Sequence, residues 1–201
     1  MPVKRVKTGL VRFTFVHLAE PYSYNDAPNP KYSLSILIDK EDHKTLELIK
    51  KNYQEAKQEG IEKYGQMFAN KATPLKRQPG TISGILVDCD EDERYMDNKD
   101  FKGHYLMSAK STTAPDVCII SKGTVMKLQS EQIKEEVYSG CYGKITFNFY
   151  PYSRTGTGIA CGLSNVLKKK DGEFMGGRVS GATDFADEID DEDDDDIEDL
   201  Y

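Results

Sequence analysis

Residues 141–152 read CYGKITFNFYPY, and this stretch carries the clearest strand pattern in the chain. Ile145, Phe147 and Phe149 recur at every second position, as the core-facing residues of a half-buried β-strand do. The alternate positions, which we expect to face outward, hold Tyr142, Lys144, Thr146, Asn148, Tyr150 and Tyr152. The stretch therefore predicts a strand with an apolar inner face and an outer face of aromatic and basic side chains.

Further strand patterns lie on both sides of this stretch. GLVRFTFVHL (9–18) alternates, which places Val11, Phe13 and Phe15 on one predicted face and Arg12 and Thr14 on the other. In KYSLSILID (31–39) one face holds Tyr32, Leu34, Ile36 and Ile38. The stretches HYLMSAKST (104–112), PDVCIIS (115–121), TVMKL (124–128) and GTGIACGLSNVLKKK (156–170) complete the set of predicted strands.

One helix is predicted, over EDHKTLELIKKNYQEAKQEG (41–60). Leu46, Ile49, Tyr53 and Ala56 recur every three or four positions and form one apolar stripe. Acidic residues open the segment, and Gly60 is the expected C-terminal stop. Several short strands with one main helix favour a small closed barrel over a parallel sheet built from alternating strands and helices.

Charge is unevenly distributed along the 201 residues. From Gly181 onward there are 12 acidic residues and no basic one, so residues 1–180 hold 27 bases against 22 acids, although the chain has a net charge of −7. A basic body with an acidic end is typical of nucleic-acid-binding proteins and of interaction tails. Residues 181–201 have too few apolar side chains to offset the entropy of ordering, so we predict a disordered acidic tail.

The composition argues against several classes of site. The four cysteines lie far apart without a CxxC pair, and the chain has only three histidines, so we expect no metal site and no cofactor. Scattered thiols are typical of a reducing compartment, and no apolar segment is long enough to span a membrane. We therefore expect a cytoplasmic protein.

Aromatic and basic side chains on one face favour single-stranded nucleic acid. Unstacked bases lie on aromatic rings at roughly 1–3 kcal/mol per base, while lysine and arginine hold the phosphates. The candidate DNA-binding residues are Arg12, Lys31, Tyr32, Lys76, Arg77, Lys110, Tyr142, Lys144, Tyr150, Tyr152, Arg154, Lys168, Lys169, Lys170 and Arg178. The competing interpretation is that the rings pack under loops and the lysine runs are solvated turns. Phosphate contacts do not distinguish strand number, so weaker duplex binding is a second expectation.

Two other classes of function stay open at this point. An acidic-tailed scaffold or interaction protein would turn the tyrosines towards a protein partner. A metal-dependent nuclease would use the acidic residues of DCDEDER (88–94), because paired carboxylates bind magnesium. The acids are consecutive in a predicted loop with no histidine or lysine placed beside them, which makes the nuclease the weaker alternative.

Several of these stretches together resemble one protein family. KYSLSILIDK (31–40), PLKRQPG (74–80), FKGHYLMSAKS (101–111), YSGCYGKITFNFYPY (138–152) and GTGIACGLSNVLKKKDGEFMGGR (156–178), followed by an acidic end, resemble the single-stranded DNA-binding proteins of tailed bacteriophages. The resemblance covers roughly residues 7–185. It implies a mainly β, OB-fold-like five-stranded barrel with one main α-helix over residues 1–180. It also implies a non-enzymatic protein that coats single strands during phage replication or recombination in the infected bacterial cell.

The tail has an expected role of its own. A disordered segment of about 18 residues spans roughly 23 Å and a 180-residue domain has a radius of gyration of about 16 Å, so the tail can reach a groove on its own barrel. We expect it to compete with DNA and, once displaced, to recruit a phage or host polymerase, helicase or recombination protein. The residues expected to contact the partner are Asp193, Asp194, Asp195, Asp196, Leu200 and Tyr201.

Overall fold

The computed structural model describes residues 5–23, 28–154 and 156–175. The strands are β1 (Val6–Lys7), β2 (Val11–Tyr22), β3 (Lys31–Asp39), β4 (Leu86–Asp88), β5 (His104–Ser111), β6 (Asp116–Ser121), β7 (Thr124–Lys127), β8 (Tyr142–Tyr152) and β9 (Gly158–Lys170). The helices are α1 (His43–Tyr64), α2 (Phe68–Lys71) and α3 (Ser130–Glu136). The predicted tail lies outside the described residues, as do the site predictions at Arg178, Asp193, Asp194, Asp195, Asp196, Leu200 and Tyr201.

Five strands close into a ring in the order β2–β3–β5–β9–β8 and back to β2. Neighbours are antiparallel except β5 and β9, which run parallel with Lys110 opposite Gly162. The ring closes where Val11 of β2 lies opposite Gly143 of β8. This ring with one main helix confirms the predicted mainly β, OB-fold-like barrel. In the described part of the chain, no helix combines the length and the apolar character needed to cross a membrane.

The strand β8 packs as its alternation predicts. Ile145, Phe147 and Phe149 are buried in the barrel core, and the residues between them are only partly covered. The helix α1 closes over this core with Ile49, Tyr53 and Ala56. Apolar side chains at every second strand position and every third or fourth helix position therefore meet in one core.

The helix α1 does not stop at Gly60, and that prediction is wrong. Asp42 caps its start by accepting a hydrogen bond from the Thr45 backbone N–H at 3.0 Å, and the helix runs on to Tyr64. Gly65 ends it with a positive φ of 86°. Gly60 is buried instead, where an added Cβ would lie 2.2 Å from Cε1 of Phe68. Close packing of a ring, rather than chain reversal, explains this glycine.

The predicted alternation of β2 breaks at Phe15. Val11 and Phe13 are buried as expected, but Phe15 is 47% exposed and Thr14 is buried. Phe15 has a φ of 48°, and the register with β3 shifts between Thr14 and His17. A β-bulge inserts a residue and turns the following side chains to the other face, so the period-two pattern fails there.

Candidate nucleic-acid interface

The outer face of the barrel carries a band of small residues across β3, β5 and β9. Ser33 lies opposite Lys110, and Ser35 lies opposite Ser108. The hydroxyl oxygens of Ser35 and Ser108 are 2.6 Å apart. Gly162 of β9 lies opposite Lys110 on the other side. We call Ser33, Ser35, Ser108, Lys110 and Gly162 the outer strip. Small side chains and a strand glycine leave room for a ligand to approach the backbone closely.

Aromatic rings surround the outer strip. Tyr150 is 44% exposed, and its ring lies 3.3 Å from the position that a Cβ on Gly162 would take. On the β2 side, Phe15 is half exposed, and Tyr22 stacks on His17 with ring centroids 4.2 Å apart. His17 is opposite Ser33, so this stacked pair borders the strip. Half-exposed rings around a flat surface provide stacking positions for unpaired bases.

The remainder of this outer face is covered by the loop 89–103. Leu37 of β3 and Leu106 of β5 point outward, yet they are buried under Cys89 and Phe101. Tyr95 stacks on Phe101 with centroids 4.8 Å apart. The loop therefore limits the open surface to the end of the strands that bears the outer strip.

The carboxylates of DCDEDER hold this loop in place. Asp88 and Asp90 both bind the Lys40 ammonium, while Asp92 binds Arg94 at 2.8 Å and lies 3.6 Å from Arg77. The hydrogen bond from Lys40 lowers the pKa of Asp90, and that from Arg94 lowers the pKa of Asp92. Among the described residues, no group of three or more His, Cys, Asp or Glu side chains could hold a metal ion.

Six of the predicted DNA-binding residues lie on the outer strip or on the strands beside it. Lys110 belongs to the strip, and Lys31 and Tyr32 begin β3 at the Ser111 end of the β3–β5 ladder, where Tyr32 alternates with Ser33. The end of β8, with Tyr150, Tyr152 and Arg154, lies on the other side of Gly162 from Lys31, because β8 is antiparallel to β9 and β9 is parallel to β5. In the part of the chain that the structure describes, Lys31, Lys110 and Arg154 form no ion pair and are available to phosphates.

A second group of predicted residues lies at the start of β8 and the end of β9. At about 3.3 Å per residue, β8 places Tyr142 roughly 33 Å from Tyr152. Tyr142 lies between Arg12 and Lys170, whose cationic groups are 5.7 and 4.6 Å from its ring centroid. The other members of this group are Lys144, Lys168 and Lys169. The structure does not bring these residues to the outer strip, because strand position separates side chains that share a face.

Three of the predicted cations are occupied by contacts within the protein. Arg12 binds Asp100 at 3.1 Å, and Arg77 belongs to the loop contacts above. Lys168 is 8% exposed and binds Glu136 at 3.0 Å and Asp171 at 2.8 Å. Burial acts to lower the pKa of Lys168, but the two carboxylates outweigh it and raise that pKa. Lys76 is engaged differently, since it donates to the Tyr105 hydroxyl at 2.9 Å.

Phe15, Tyr22 and His17 border the strip but are absent from the residues predicted from sequence. The alternation of β2 assigned Phe15 to the core, and only the bulge turns it outward. For Tyr22 and His17 the sequence contains no signal beyond residue type. Their place beside the strip depends on the pairing of β2 with β3.

The chain leaves the described residues close to this surface. After β9, residues 171–175 cross the loop before β8, where the Met175 N–H donates to the Ser139 carbonyl at 2.7 Å. Glu173 accepts from Arg12 through its backbone carbonyl at 3.0 Å. Met175 then packs against the cluster of Leu37 and Phe101. Met175, the last described residue before the acidic end of the sequence, therefore lies beside the covered half of the outer face.

Comparison with known proteins connects this architecture with one family. The model of the family described as "Enterobacter phage Enc34, ssDNA-binding protein" matches residues 4–197. The structure is similar to that of the Enc34 protein in complex with single-stranded DNA, with a TM-score of 0.69 and 27% identity, covering 86% of this chain and 89% of that one.

Two further proteins are similar over most of their length. Putative protein p50 of Acyrthosiphon pisum secondary endosymbiont phage 1 is 27% identical over 191 residues, which are 91% of this chain and 93% of that protein. The gp2.5 single-stranded DNA-binding protein of bacteriophage T7 has the same fold, with a TM-score of 0.54 and 18% identity over 94% of this chain and 97% of that one. The match along nearly the whole sequence shows that the chain belongs to the Enc34 family of phage single-stranded DNA-binding proteins.

Proposed function

We propose that this protein binds single-stranded DNA across the outer strip, with bases stacked on the surrounding rings. The observation that carries the proposal is the set of half-exposed rings, Phe15, Tyr22 and Tyr150, around a strip of serine and glycine. OB-folds commonly bind oligonucleotides on the corresponding strands, between the loops that join strands 1 to 2 and 4 to 5. Here those loops follow β2 and β8.

Three cations that form no ion pair with another described residue support phosphate contacts along this path. Lys31 and Arg154 lie towards the two loops, and Lys110 lies between them on the strip. For single-stranded DNA, each phosphate that the protein neutralises adds about −0.7 to the slope of log K against log salt concentration. We therefore expect a slope near −2 from these three residues. Because rings stack on unpaired bases and cannot reach stacked ones, binding to duplex is expected to be weaker.

In the infected bacterial cell, such a protein coats single strands during replication or recombination and carries out no chemistry on them. The proposal rests on the family and on the strip. The Enc34 protein is described in complex with single-stranded DNA, and the strip offers stacking and phosphate contacts without a catalytic arrangement.

The acidic tail competes with DNA in this proposal. Met175 packs against the cluster that contains Leu37, and four residues of β3, roughly 13 Å, separate Leu37 from Ser33 on the strip. The 12 acids after Gly181 are therefore tethered near the phosphate-binding cations. Tethering gives an effective concentration on the order of millimolar, so weak contacts are enough to compete. DNA then releases the tail, whose acids and closing Leu200 and Tyr201 bind a replication partner.

The test is fluorescence anisotropy with a labelled poly-dT oligonucleotide and a matched duplex at several salt concentrations. Full-length protein is compared with a chain ending at Gly181. We expect tighter binding to the single strand, and a further gain on truncation that shrinks as salt rises. No binding by either chain would refute the DNA-binding proposal, while equal affinities at low salt would refute only the competition by the tail.

A further inference from the structure

On the outer face of β8 and β9, next to the outer strip, the barrel contains an apolar groove. It lies where β6 and β7 meet β8 and β9, and it encloses about 130 Å³. Cys118, Val125 and Leu167 line it, and Thr146 and Asn165 add short polar side chains. Cys118 lies opposite Leu167, because β6 runs parallel to β9 at this point. The groove is thus formed by the two central strands and a hairpin appended to them.

The hairpin beside the groove exposes large apolar side chains. Ile120 is 45% exposed and Val125 is 61% exposed, and the two lie opposite each other on β6 and β7. All four residues of β7, which ends the sheet, are exposed. Contiguous exposed apolar surface at a sheet edge is costly unless another segment covers it.

Lysine side chains form one rim of the groove. Lys7 of β1 and Lys144 of β8 both line it. Across residues 5–23, 28–154 and 156–175, neither of these lysines forms an ion pair. Lys127 on the hairpin, by contrast, binds Asp116. An apolar groove with two unpaired cations fits a segment that alternates apolar residues with carboxylates.

The C-terminal end of this chain has that chemistry. Residues 190–201 read DDEDDDDIEDLY, with nine acids and three apolar residues, Ile197, Leu200 and Tyr201. The acids are opposite in charge to the two lysines, and the three apolar side chains suit the apolar walls of the groove. Without the apolar residues, acids alone would be attracted to any basic surface and would have no fixed position.

The groove is within reach of this segment. The Met175 N–H is bonded to Ser139, and five residues, at most about 17 Å, separate Ser139 from Lys144 at the groove. Residues 176–189 supply 14 residues between Met175 and the acidic end, with an r.m.s. span of about 21 Å for a flexible chain.

We propose that residues 190–201 dock in this groove of their own chain, with Ile197, Leu200 and Tyr201 against Val125, Cys118 and Leu167 and the acids beside Lys7 and Lys144. The groove is then a holding site for the C-terminal end beside the DNA-binding strip, and residues 190–201 occupy either the groove or the strip at any one time. Docking covers the exposed hairpin and withholds the apolar end from other proteins until it is displaced. This inference does not depend on DNA binding by the strip.

Cys118 reports on the groove without any added probe site. It is the partly exposed thiol among the four cysteines, since Cys89, Cys141 and Cys161 are buried. The experiment measures the rate of alkylation of Cys118 by N-ethylmaleimide in the full chain, with the modified position identified by mass spectrometry. The comparison is a full chain in which Ile197, Leu200 and Tyr201 are replaced by serine, which keeps every tail acid and therefore the electrostatic field on the thiol.

We expect the native chain to react about sixfold more slowly than the triple-serine chain. With an effective concentration on the order of 1 mM, this protection corresponds to a dissociation constant of about 0.2 mM for the free segment. Equal alkylation rates for the two chains would overturn the proposal. So would protection that disappears on dilution of the protein, because it would place the segment of a second copy in the groove.

A matched pair of substitutions on β7 tests the position of the docked segment. Val125→Glu puts a carboxylate in the groove and is expected to abolish the protection of Cys118. Met126→Glu makes the same change on the other face of the strand, where Met126 lies opposite Ile119, and is expected to keep it. Loss of protection in both variants, or in neither, would show that the groove is not the docking site.

Discussion

Replacing Tyr150 by alanine removes the ring that lies over Gly162 and leaves the outer strip otherwise intact. The ring is 44% exposed, so much of its surface is available to a base and only part of it supports the barrel. Stacking on one aromatic ring contributes roughly 1–3 kcal/mol per base. At 1.4 kcal/mol per factor of ten, Tyr150→Ala should raise the Kd for single-stranded DNA by about 5- to 150-fold.

The substitution should cost little stability. Truncating a half-exposed side chain lowers the free energy of unfolding by on the order of 1 kcal/mol, because less apolar surface is buried. This lowers Tm by about 2–4 °C in a domain of this size. The variant should therefore be folded at the temperature of the binding assay, and circular dichroism will verify this. Tyr64→Ala is the matched control, because Tyr64 is 38% exposed at the end of α1 and contacts Phe68 rather than the strip.

The assay is anisotropy of a labelled poly-dT oligonucleotide at fixed salt, with a duplex of equal length measured in parallel. Tyr150→Ala should weaken binding to the single strand more than binding to the duplex, and Tyr64→Ala should change neither. An unchanged Kd for the single strand would refute stacking on this ring. An equal loss for single strand and duplex would mean that Tyr150 only supports the shape of the barrel.

Three further substitutions test a phosphate contact, a buried ion pair and the packing of a helix glycine. Lys110→Ala should reduce the magnitude of the salt slope of single-strand binding by about 0.7, and an unchanged slope in a salt titration would remove Lys110 from the phosphate path. Lys168→Ala removes the ion pairs with two partly exposed carboxylates, which should lower the free energy of unfolding by about 1–2 kcal/mol and Tm by roughly 3–6 °C. The Kd for DNA should not change. Lys168 and Tyr138 lower the pKa of Asp171 by hydrogen bonding, so the stability that Asp171 contributes is complete above the usual aspartate pKa of about 4 and is lost below it. The Tm difference between native and Lys168→Ala chains should thus narrow as pH falls below 4, and a constant difference would contradict the pairing. Gly60→Ala should destabilise by about 1–3 kcal/mol despite the better helix propensity of alanine, because the added Cβ meets Phe68, and a raised Tm on thermal unfolding would show that the ring can move aside.

Much of the fold follows from local periodicity. The inner face of β8 and the buried stripe of α1 lie where spacings of two and of three to four residues place them, because such spacing directly reflects which side chains the core covers. The predicted strands at 104–112, 115–121, 124–128 and 156–170 correspond to β5, β6, β7 and β9. Gly60 shows where periodicity fails, because a glycine in a helix can leave room for a ring from another segment as well as end the helix.

The composition of the binding surface follows much less from local pattern. Lys168 has the same residue type as Lys169 and Lys170, yet only the pairing of β9 with its neighbours and the approach of α3 bury it beside Glu136. Residue type alone identified Tyr150 and Tyr142 as equivalent candidates, whereas the structure separates them by the length of a strand.

The sequence by itself determined the kind of protein: a β-barrel with one helix, a basic body and an acidic end. These properties depend on short-range spacing and on composition, which any stretch of the chain displays without its partners. Only the tertiary structure decided which side chains share a surface. The bulge at Phe15, the register that sets Lys110 beside Gly162 and the loop that covers Leu37 and Leu106 all arise from contacts between distant segments. Because strand register and ring closure set those contacts, no local pattern in the sequence specifies them.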